Sequence, residues 1–248
     1  MQQAAIELSD VSKQFGGVRA VDSVSLTIAP GERRVLIGPN GAGKTTLFNC
    51  ITGNLPASTG RIVFFGQDLT EEPERSRTAR GMGRTFQISN VFTDLSVWEN
   101  MILARLGCDT RKWRMHRSFF SLNDFSANLR ETLEWVRLDR RINDPVSDLS
   151  YGERKQLDLA LGLAGEPKAL FLDEPCAGLS PSERQRVSQL IGELPDKMTV
   201  VMIEHDMDIA LGLAERVTVL HQGRVILEGA PDEVETNPEV REVYFGAG

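Results

Sequence analysis

A glycine-rich segment between an apolar run and a helical pattern restricts this chain to a small set of folds. Residues 38–45, here called the phosphate loop, read Gly-Pro-Asn-Gly-Ala-Gly-Lys-Thr and match the pattern G-x-x-x-x-G-K-[ST]. The preceding run Val35-Leu36-Ile37 is typical of a buried strand, and Leu47 and Phe48 after the loop belong to an apolar helix face. Glycines let successive backbone amides surround an anion, and the amino end of the following helix adds partial positive charge. The segment therefore predicts a binding site for a nucleoside triphosphate.

Polar side chains at the end of the phosphate loop suit the chemistry of a bound triphosphate. Lys44 is long enough to reach the β- and γ-phosphates, and the Thr45 hydroxyl is a suitable ligand for Mg²⁺. The residues predicted to contact the nucleotide here are Gly38, Pro39, Asn40, Gly41, Ala42, Gly43, Lys44, Thr45 and Thr46.

A second apolar run ends in two consecutive carboxylates. Ala169 to Leu172 is typical of a buried strand, and Asp173 and Glu174 follow it directly. Open α/β sheets bind ligands at the carboxyl ends of their strands, so both side chains are expected near the phosphates. Asp173 suits the Mg²⁺ shell, usually through a water molecule, and Glu174 is placed to take a proton from an attacking water.

Apolar strands alternate with capped helices along most of the chain, which predicts an α/β fold with a mostly parallel sheet. Ser150 with Glu153, and Ser180 with Glu183, form capping boxes that predict two helix starts, and Ser96 is predicted to cap another helix. The other predicted strands are Ile6 to Leu8, Val24 to Ile28, Thr199 to Ile203, and a late hairpin of Val217 to Leu220 with Arg224 to Leu227.

The segment at about 89–148 lacks strand-type runs. A helix near 126–137 is predicted to place Leu129, Leu133 and Val136 on one face. We interpret the segment as a helical insertion in the α/β domain.

Composition and charge exclude several classes of protein. With 28 Lys and Arg against 35 Asp and Glu, the net charge of −7 argues against nonspecific nucleic-acid binding. A local exception is the basic run Arg105 to Arg117, which is either a solvated face or a surface that contacts a membrane or a partner. No apolar stretch approaches the ~18 to 20 residues of a membrane span, and the first ten residues lack a signal-peptide pattern. The three scattered cysteines are expected to be reduced thiols, so a soluble cytosolic protein is expected.

Five further motifs occur in the order found in the ATP-binding cassette (ABC) family, which the chain resembles from about Ile6 to Phe245. The resemblance implies one ABC ATPase domain over residues 1–248, with a P-loop NTPase fold. A RecA-like, mostly parallel core with an antiparallel β subdomain would occupy 1–88 and 149–248, and an inserted helical subdomain about 89–148. The matching residues are Phe15 for adenine stacking, Gln87 for the Q-loop glutamine, Leu149 to Glu153 for the signature motif, Ala177 to Ser180 for the D-loop and His205 for the switch histidine.

The resemblance also implies ATP hydrolysis at the interface of a head-to-tail dimer. Each ATP would lie between the phosphate loop of one subunit and Ser150 and Gly152 of the other. Glu174 would polarise the attacking water, and His205 would hydrogen-bond the γ-phosphate. The residues with implied catalytic roles are Lys44, Glu174, His205 and Gln87, and those implied to bind Mg²⁺ are Thr45, Gln87 and Asp173.

The signature motif departs from the usual Leu-Ser-Gly-Gly-Gln of the family at Tyr151 and Glu153. Ser150 and Gly152 remain, and Ser150 as an N-cap would direct a helix start toward the γ-phosphate. Glu153 either weakens the grip on that anion through its negative charge or closes the capping box with Ser150.

A finer resemblance is to the branched-chain amino acid uptake ATPases, carried by the run Arg84 to Gln87, by Tyr151, by Ala177 to Leu179 of the D-loop, by Ile203 to Met207 and by the ending Asn237 to Val240 with Tyr244 to Gly246. It implies a subunit that hydrolyses ATP with Mg²⁺ at the cytoplasmic face of the inner membrane. The implied partners are two integral membrane permeases, a sister ATPase or a second copy, and an extracytoplasmic solute-binding protein, without nucleic acid. Arg84 to Asn100 would form much of a groove for a short permease helix. The alternatives are another small solute such as urea or amides, or a soluble ABC ATPase without a transport role.

Overall fold

The computed structural model describes residues 3–85, 91–108 and 122–245. Gln87 and Arg111 to Arg117, the larger part of the basic run, lie outside the described residues. The described chain forms two β-sheets flanked by helices. The strands are β1 (Ile6–Phe15), β2 (Val18–Ile28), β3 (Arg33–Ile37), β4 (Thr59–Phe64), β5 (Gln67–Asp68), β6 (Met82–Arg84), β7 (Ala169–Asp173), β8 (Thr199–Ile203), β9 (Arg216–His221) and β10 (Arg224–Gly229).

The helices lie mainly in the connections between strands, as expected for an α/β fold. Two short 3-10 turns, Asp139–Arg141 and Val146–Asp148, lead into the predicted signature motif. The helices are α1 (Lys44–Thr52), α2 (Glu74–Ala79), α3 (Val97–Cys108), α4 (Leu122–Trp135), α5 (Tyr151–Leu163), α6 (Pro181–Gly192), α7 (Met207–Leu213), α8 (Pro231–Thr236) and α9 (Pro238–Phe245).

The larger sheet is mostly parallel, as the sequence predicts. Its strand order is β10-β9-β3-β8-β7-β6, with β10 antiparallel to β9 and the other pairs parallel. The predicted late hairpin of β9 and β10 turns through Gln222 and Gly223, whose φ angles are 49° and 80°. The sequence does not predict β6, because it is short and contains Gly83. A Cβ at Gly83 would lie 2.4 Å from the carbonyl oxygen of Gly162 in α5, so glycine permits this close packing.

The smaller sheet is antiparallel, with strand order β2-β1-β4-β5. The two short runs predicted near the amino terminus are the inner ends of the much longer β1 and β2. The sequence pattern does not predict the end of β1 or the beginning of β2. Paired residues there, such as Gln14 and Arg19, are exposed, so these parts of the strands contain no apolar run.

The described residues between 91 and 148 form helices and turns, apart from an isolated β-bridge. Ser96 caps α3 as predicted, since its Oγ accepts from the Glu99 amide over 3.2 Å. The helix predicted near 126–137 is α4, which begins and ends a few residues earlier. The apolar residues predicted on one face are all buried, and they are Leu129, Leu133 and Val136.

The larger sheet separates two hydrophobic cores. Val35 and Ile37 of β3 face the core formed with most of the helices, whereas Leu36 faces the core shared with α1 and the smaller sheet. Phe171 of β7 packs edge-to-face on Phe48 of α1, with ring centroids 5.5 Å apart. Burial on both faces explains the continuous apolar runs of these strands. In the described part of the chain, no helix is both long enough and apolar enough to span a membrane.

Candidate nucleotide-binding site

The phosphate loop and the segments that carry Asp173, Glu174 and His205 lie at the same edge of the larger sheet. β3, β8 and β7 are adjacent and parallel, with Leu36 opposite Ile203 and Ile203 opposite Asp173. The phosphate loop follows β3, His205 follows β8, and Glu174 follows β7. Because carboxyl ends of parallel strands meet at one edge, the fold gathers residues that are far apart in the chain.

Two of the three glycines of the phosphate loop, Gly38 and Gly43, occupy places where a side chain has no room. Gly38 has a φ of 149°, and a Cβ there would lie 2.1 Å from the carbonyl oxygen of Leu220. Gly43 has a φ of 101°, and a Cβ there would lie 2.3 Å from the carbonyl oxygen of Ala20. Gly43 also precedes α1 without a side-chain cap. The backbone amides at the start of α1 are therefore the groups available to a bound anion.

Lys44 is folded back over the phosphate loop. Its Nζ donates to the carbonyl oxygens of Gly38 over 2.6 Å and of Pro39 over 3.1 Å. Burial lowers the pKa of Lys44, and the negative charge of Glu174 opposes that shift. A buried ammonium held against the loop is ready to bind a phosphate oxygen. Thr45 is exposed and Thr46 half-buried beside it.

Asp173 is a buried carboxylate with a vacant acceptor. Its side chain is 2% exposed, and its Oδ1 has no hydrogen-bond partner. Burial raises the pKa of Asp173, and the positive charge of Arg84 opposes that shift. A buried oxygen without a partner is costly for the folded chain unless something binds to it.

The donor set at Asp173 fits Mg²⁺. The ion prefers oxygen ligands and retains water or phosphate oxygens in most nucleotide sites, so one carboxylate and the Thr45 hydroxyl suffice from the protein. Among the described residues, no three His, Cys, Asp or Glu side chains converge into a complete metal cage. Asp173 and the Thr45 hydroxyl suit a metal that arrives with a nucleotide. Gln87, the third predicted ligand, lies outside the described residues.

Glu174 and His205 form a close pair beside Asp173. The Oε1 of Glu174 lies 2.6 Å from the Nε2 of His205, although 31 residues separate them in the sequence. Glu174 has a φ of 50°, which is unusual for a residue other than glycine, and its amide donates to the carbonyl oxygen of Ile203. The pair places a carboxylate and an imidazole where a water could be oriented and deprotonated.

Phe15 is an exposed aromatic residue at the end of β1. The residue is 47% exposed, and the Nζ of Lys13 lies 5.2 Å from the ring centroid. The paired strand β2 reaches the phosphate loop, since the carbonyl oxygen of Ala20 lies close to Gly43. Phe15 could stack on the base of a nucleotide whose phosphates lie in the phosphate loop and whose base extends toward β1 and β2.

The predicted signature motif forms the start of α5. Ser150 is the N-cap, and its Oγ accepts from the Glu153 amide while the Glu153 carboxylate accepts from the Ser150 amide over 2.8 Å. The other carboxylate oxygen of Glu153 is 3.1 Å from Arg141. The capping-box interpretation of Glu153 is therefore confirmed, and Arg141 partly offsets its charge.

The start of α5 contacts the predicted D-loop and the start of α6 in the same chain. Tyr151 is 52% exposed, and its hydroxyl donates to the carbonyl oxygen of Ala177 over 3.3 Å. A Cβ at Gly152 would lie 2.3 Å from an oxygen of Glu183, which explains the glycine. Glu183 also accepts from the amide and the hydroxyl of Ser180. The structure thus joins two predicted motifs at one surface.

Two residues near the site are not predicted by sequence reasoning as site residues. Glu204 is buried, and its carboxylate accepts from the amides of Cys176 over 3.1 Å and of His205 over 3.0 Å. The Tyr244 hydroxyl of α9 accepts from the Gly38 amide. Burial raises the pKa of Tyr244 to about 12, although this hydrogen bond alone would lower it. A carboxylate directly after an apolar strand is a signal for Glu204. The Tyr244 contact has no local signal.

A phosphate loop on a central parallel strand, with carboxylates at the ends of neighbouring strands, defines the class of P-loop nucleotide-binding proteins. The family model described as ABC transporter matches residues 21–177, and the model described as branched-chain amino acid ATP-binding cassette transporter matches residues 224–248. The chain belongs to the ABC transporter family, as one of its nucleotide-binding ATPase subunits.

Relatives match over the full length of the chain. The high-affinity branched-chain amino acid transport ATP-binding protein LivG of Escherichia coli K12 is 34% identical over 255 residues, which cover 99% of each chain. The corresponding protein BraF of Pseudomonas aeruginosa is 32% identical over 259 residues, again covering 99% of each.

Solved structures agree with this assignment. The ADP conformation of MJ1267, an ATP-binding cassette of an ABC transporter, has a TM-score of 0.86 at 29% identity, covering 98% of this chain and 99% of that one. The dimeric structure of MJ0796, a bacterial ABC transporter cassette, has a TM-score of 0.79 at 26% identity, covering 91% and 98%. The predicted ABC fold is therefore confirmed.

Proposed function

We propose that this chain is the ATP-hydrolysing subunit of an importer for branched-chain or related amino acids. The observation that carries the ATPase part is the Glu174–His205 pair, 2.6 Å apart, at the sheet edge where the phosphate loop and Asp173 meet. The full-length similarity to LivG and BraF supports the solute class. ATP with Mg²⁺ is the proposed substrate complex.

The proposed chemistry uses the residues of this edge in separate roles. Lys44 and the loop amides bind the β- and γ-phosphates, and Asp173 with Thr45 would hold Mg²⁺, which supplies charge neutralisation when bound. Glu174 accepts a proton from the attacking water, and His205 holds the γ-phosphate and keeps the water in line. Gln87 is proposed as the residue that senses the metal and the water.

We propose that two cassettes enclose ATP between them. Ser150 and Gly152 of one copy would contact the γ-phosphate bound by the other, because the start of α5 presents a helix dipole at an exposed surface. The fold neighbour MJ0796 has been solved as a dimer, which supports this arrangement. The partner in the dimer is a second copy or a sister ATPase.

A surface groove supports the proposal that membrane permeases bind this chain. The groove lies between α2, β6, α3 and α5, and its lining includes Glu74, Arg84, Phe92, Asn100 and Leu103. We call it the docking groove. Phe92 and Leu103 are 60% and 41% exposed, as expected for residues that receive a short apolar helix. Permeases bound there would hold the chain at the cytoplasmic face of the inner membrane.

The structure distinguishes two aromatic residues near this groove. Phe92 lines the groove, whereas Trp98 packs against the helical core, with Arg130 4.8 Å from its ring centroid. From the sequence, Phe92 and Trp98 could each be a core residue or a residue of the groove. The contacts make Phe92 the better probe of permease binding.

Reconstitution tests the proposed function. The chain is assembled with candidate permeases in vesicles that enclose ATP, with the solute-binding protein outside, and ATP-dependent uptake is measured for leucine, isoleucine, valine, urea and acetamide. We expect transport of the branched-chain amino acids and none with Glu174→Gln. Transport of urea or acetamide alone would contradict the assignment of branched-chain amino acids as solutes. An ATPase rate that no permease changes would contradict the transport role.

A further inference from the structure

Arg84 lies between the nucleotide edge of the larger sheet and the docking groove. It ends β6 and pairs with β7 opposite Phe171, two residues before Asp173. Its side chain is only 10% exposed, and it contributes to the wall of the docking groove together with Glu74. Arginine keeps its charge even when it is buried, so this guanidinium requires partners around it.

One set of partners belongs to α1, the helix that follows the phosphate loop. Nη1 of Arg84 donates to the Thr52 hydroxyl over 2.9 Å, and Nη2 donates to the Asn49 side-chain oxygen over 2.7 Å. The guanidinium carbon lies 5.3 Å from the centroid of the Phe48 ring. These contacts fix the guanidinium against one face of α1.

Two carboxylates flank the same guanidinium. Nη2 is 3.8 Å from Oδ2 of Asp173, and Nη1 is 4.0 Å from Oε1 of Glu74. Asp173 is nearly fully buried beside the phosphate loop, whereas Glu74 is one-third exposed on the groove wall. A single cation is therefore shared between the proposed metal ligand and the proposed docking surface.

We propose that Arg84 is a positioning residue that orients Asp173 for Mg²⁺ and links that orientation to the docking groove through Glu74. Partners behind a metal-binding carboxylate fix its direction and its charge, and the planar guanidinium does so here while it is anchored to α1. A helix in the groove that moves Glu74 would change how strongly Arg84 is drawn toward Asp173. The link to the groove rests on the proposed docking function, but the effect on Asp173 does not.

The first test uses the isolated full-length chain and measures metal binding instead of turnover. Mn²⁺ is titrated into the chain saturated with ADP, and the bound metal is followed by electron paramagnetic resonance. We expect Arg84→Met to weaken Mn²⁺ binding by about 10- to 100-fold, the usual effect of losing a partner behind a metal ligand. Wild-type affinity for Mn²⁺ in Arg84→Met would overturn the proposal.

A matched control and a second variant keep this test decisive. Arg80→Met removes a nearby arginine that pairs with Glu72 over 2.9 Å, and Mn²⁺ affinity should stay at the wild-type level. Arg84→Lys keeps the charge but cannot hold Asn49, Thr52 and Asp173 together, so an intermediate loss is expected. If Arg84→Met does not fold, wild-type Mn²⁺ affinity in Arg84→Lys contradicts the proposal.

The second test measures the link to the docking groove in the assembled transporter. The ratio of permease-stimulated to basal ATPase activity is compared for the wild type, Glu74→Gln, Arg84→Met and the double variant. We expect both single variants to lower the ratio and the double variant to add little, because the two residues act in one network. Equal stimulation of wild type and variants would overturn the link. A wild-type chain that no permease stimulates would instead refute the proposed function and leave the Mn²⁺ result standing.

Discussion

Burial of the Asp173 carboxylate carries an electrostatic cost for the folded chain. The carboxylate is buried and one oxygen has no hydrogen-bond partner, while the guanidinium of Arg84 is 3.8 Å away. Burial raises the pKa of Asp173 above its ordinary value of 3.8. The free energy of unfolding therefore falls as the pH rises from the ordinary pKa of 3.8 toward the higher pKa of the folded chain, and the loss is complete above that pKa.

Asp173→Asn should stabilise the nucleotide-free chain at neutral pH. We expect a rise in Tm of about 2 to 4 °C, the shift that 1 kcal/mol produces in a chain of this size. The gain should shrink as the pH falls toward the ordinary pKa of 3.8, because Asp173 is then protonated in both states. Thermal unfolding from pH 7.5 downward measures this, with the exposed Asp94→Asn as the control. A loss of Tm that is the same at every pH would contradict the expectation.

Glu174→Gln and Lys44→Ala should separate catalysis from binding. An amide at position 174 cannot accept the proton of the water, so we expect hydrolysis about 10²- to 10⁴-fold slower with ATP binding retained. Lys44→Ala removes a charge-assisted phosphate contact and should weaken ATP binding by about 1.5 to 3 kcal/mol. Phosphate release and nucleotide titrations measure the two effects, with Glu193→Gln as a surface control. Wild-type turnover by Glu174→Gln would refute the general-base role.

At the scale of elements, the amino ends of α1 and α5 differ in how they are capped, and both belong to the proposed site. α1 begins at Gly43 without a side-chain cap, which leaves its first amides for phosphate. α5 begins at Ser150 with a complete capping box, and this cap stands at an exposed surface. The cap of α5 therefore has a structural role in the monomer and a proposed binding role in the dimer.

Ser150→Ala is expected to affect both roles. Loss of the N-cap acceptor should lower the free energy of unfolding by about 1 kcal/mol. ATP-dependent dimerisation should also weaken, because the hydroxyl would no longer reach the γ-phosphate of the second copy. Glu233→Ala is the matched control, since its carboxylate accepts from the Ala230 amide at the start of α8. If Ser150→Ala and Glu233→Ala lose similar stability and Ser150→Ala still dimerises as the wild type does, Ser150 serves only to cap its helix.

At the scale of the whole molecule, net charge and the proposed dimer face govern assembly. The charge of −7 makes two copies repel, and ATP with Mg²⁺ supplies the contacts that join them. We expect a mostly monomeric chain without nucleotide and a dimer with ATP and Mg²⁺ in the Glu174→Gln background. Light scattering with and without ATP measures the change, and a dimer independent of nucleotide would contradict this model.

Membrane association should depend on the permeases and not on lipid. Cells with and without the permease genes are fractionated, and the chain should leave the membrane fraction when those genes are absent. Charge reversal at Arg111 to Arg117 tests direct binding to anionic lipid, which high salt should abolish. Membrane binding that persists without permeases would refute docking through the groove.

Sequence alone predicts the parts of the site that depend on neighbouring residues. The phosphate loop, the strand that ends at Asp173 and the caps at Ser150 and Ser180 each use local spacing that an isolated segment already contains. The alternation of strands and helices predicts the parallel sheet, because parallel strands need a helical connection between them. Resemblance to a family adds the switch histidine and the signature motif, whose roles have no local physical signature.

Only the tertiary structure shows which distant groups meet. Glu174 reaches His205 across 31 residues, Glu204 holds the amides of Cys176 and His205, and Arg84 lies within 4 Å of Asp173 and Glu74. These contacts depend on strand order, and many strand orders share the same local patterns. β6 exists because β7 lies beside it, and the docking groove exists because α3 packs across α5. Local propensity determines the elements of this protein, while burial of their apolar faces against one another decides their neighbours and thereby the chemistry of the site.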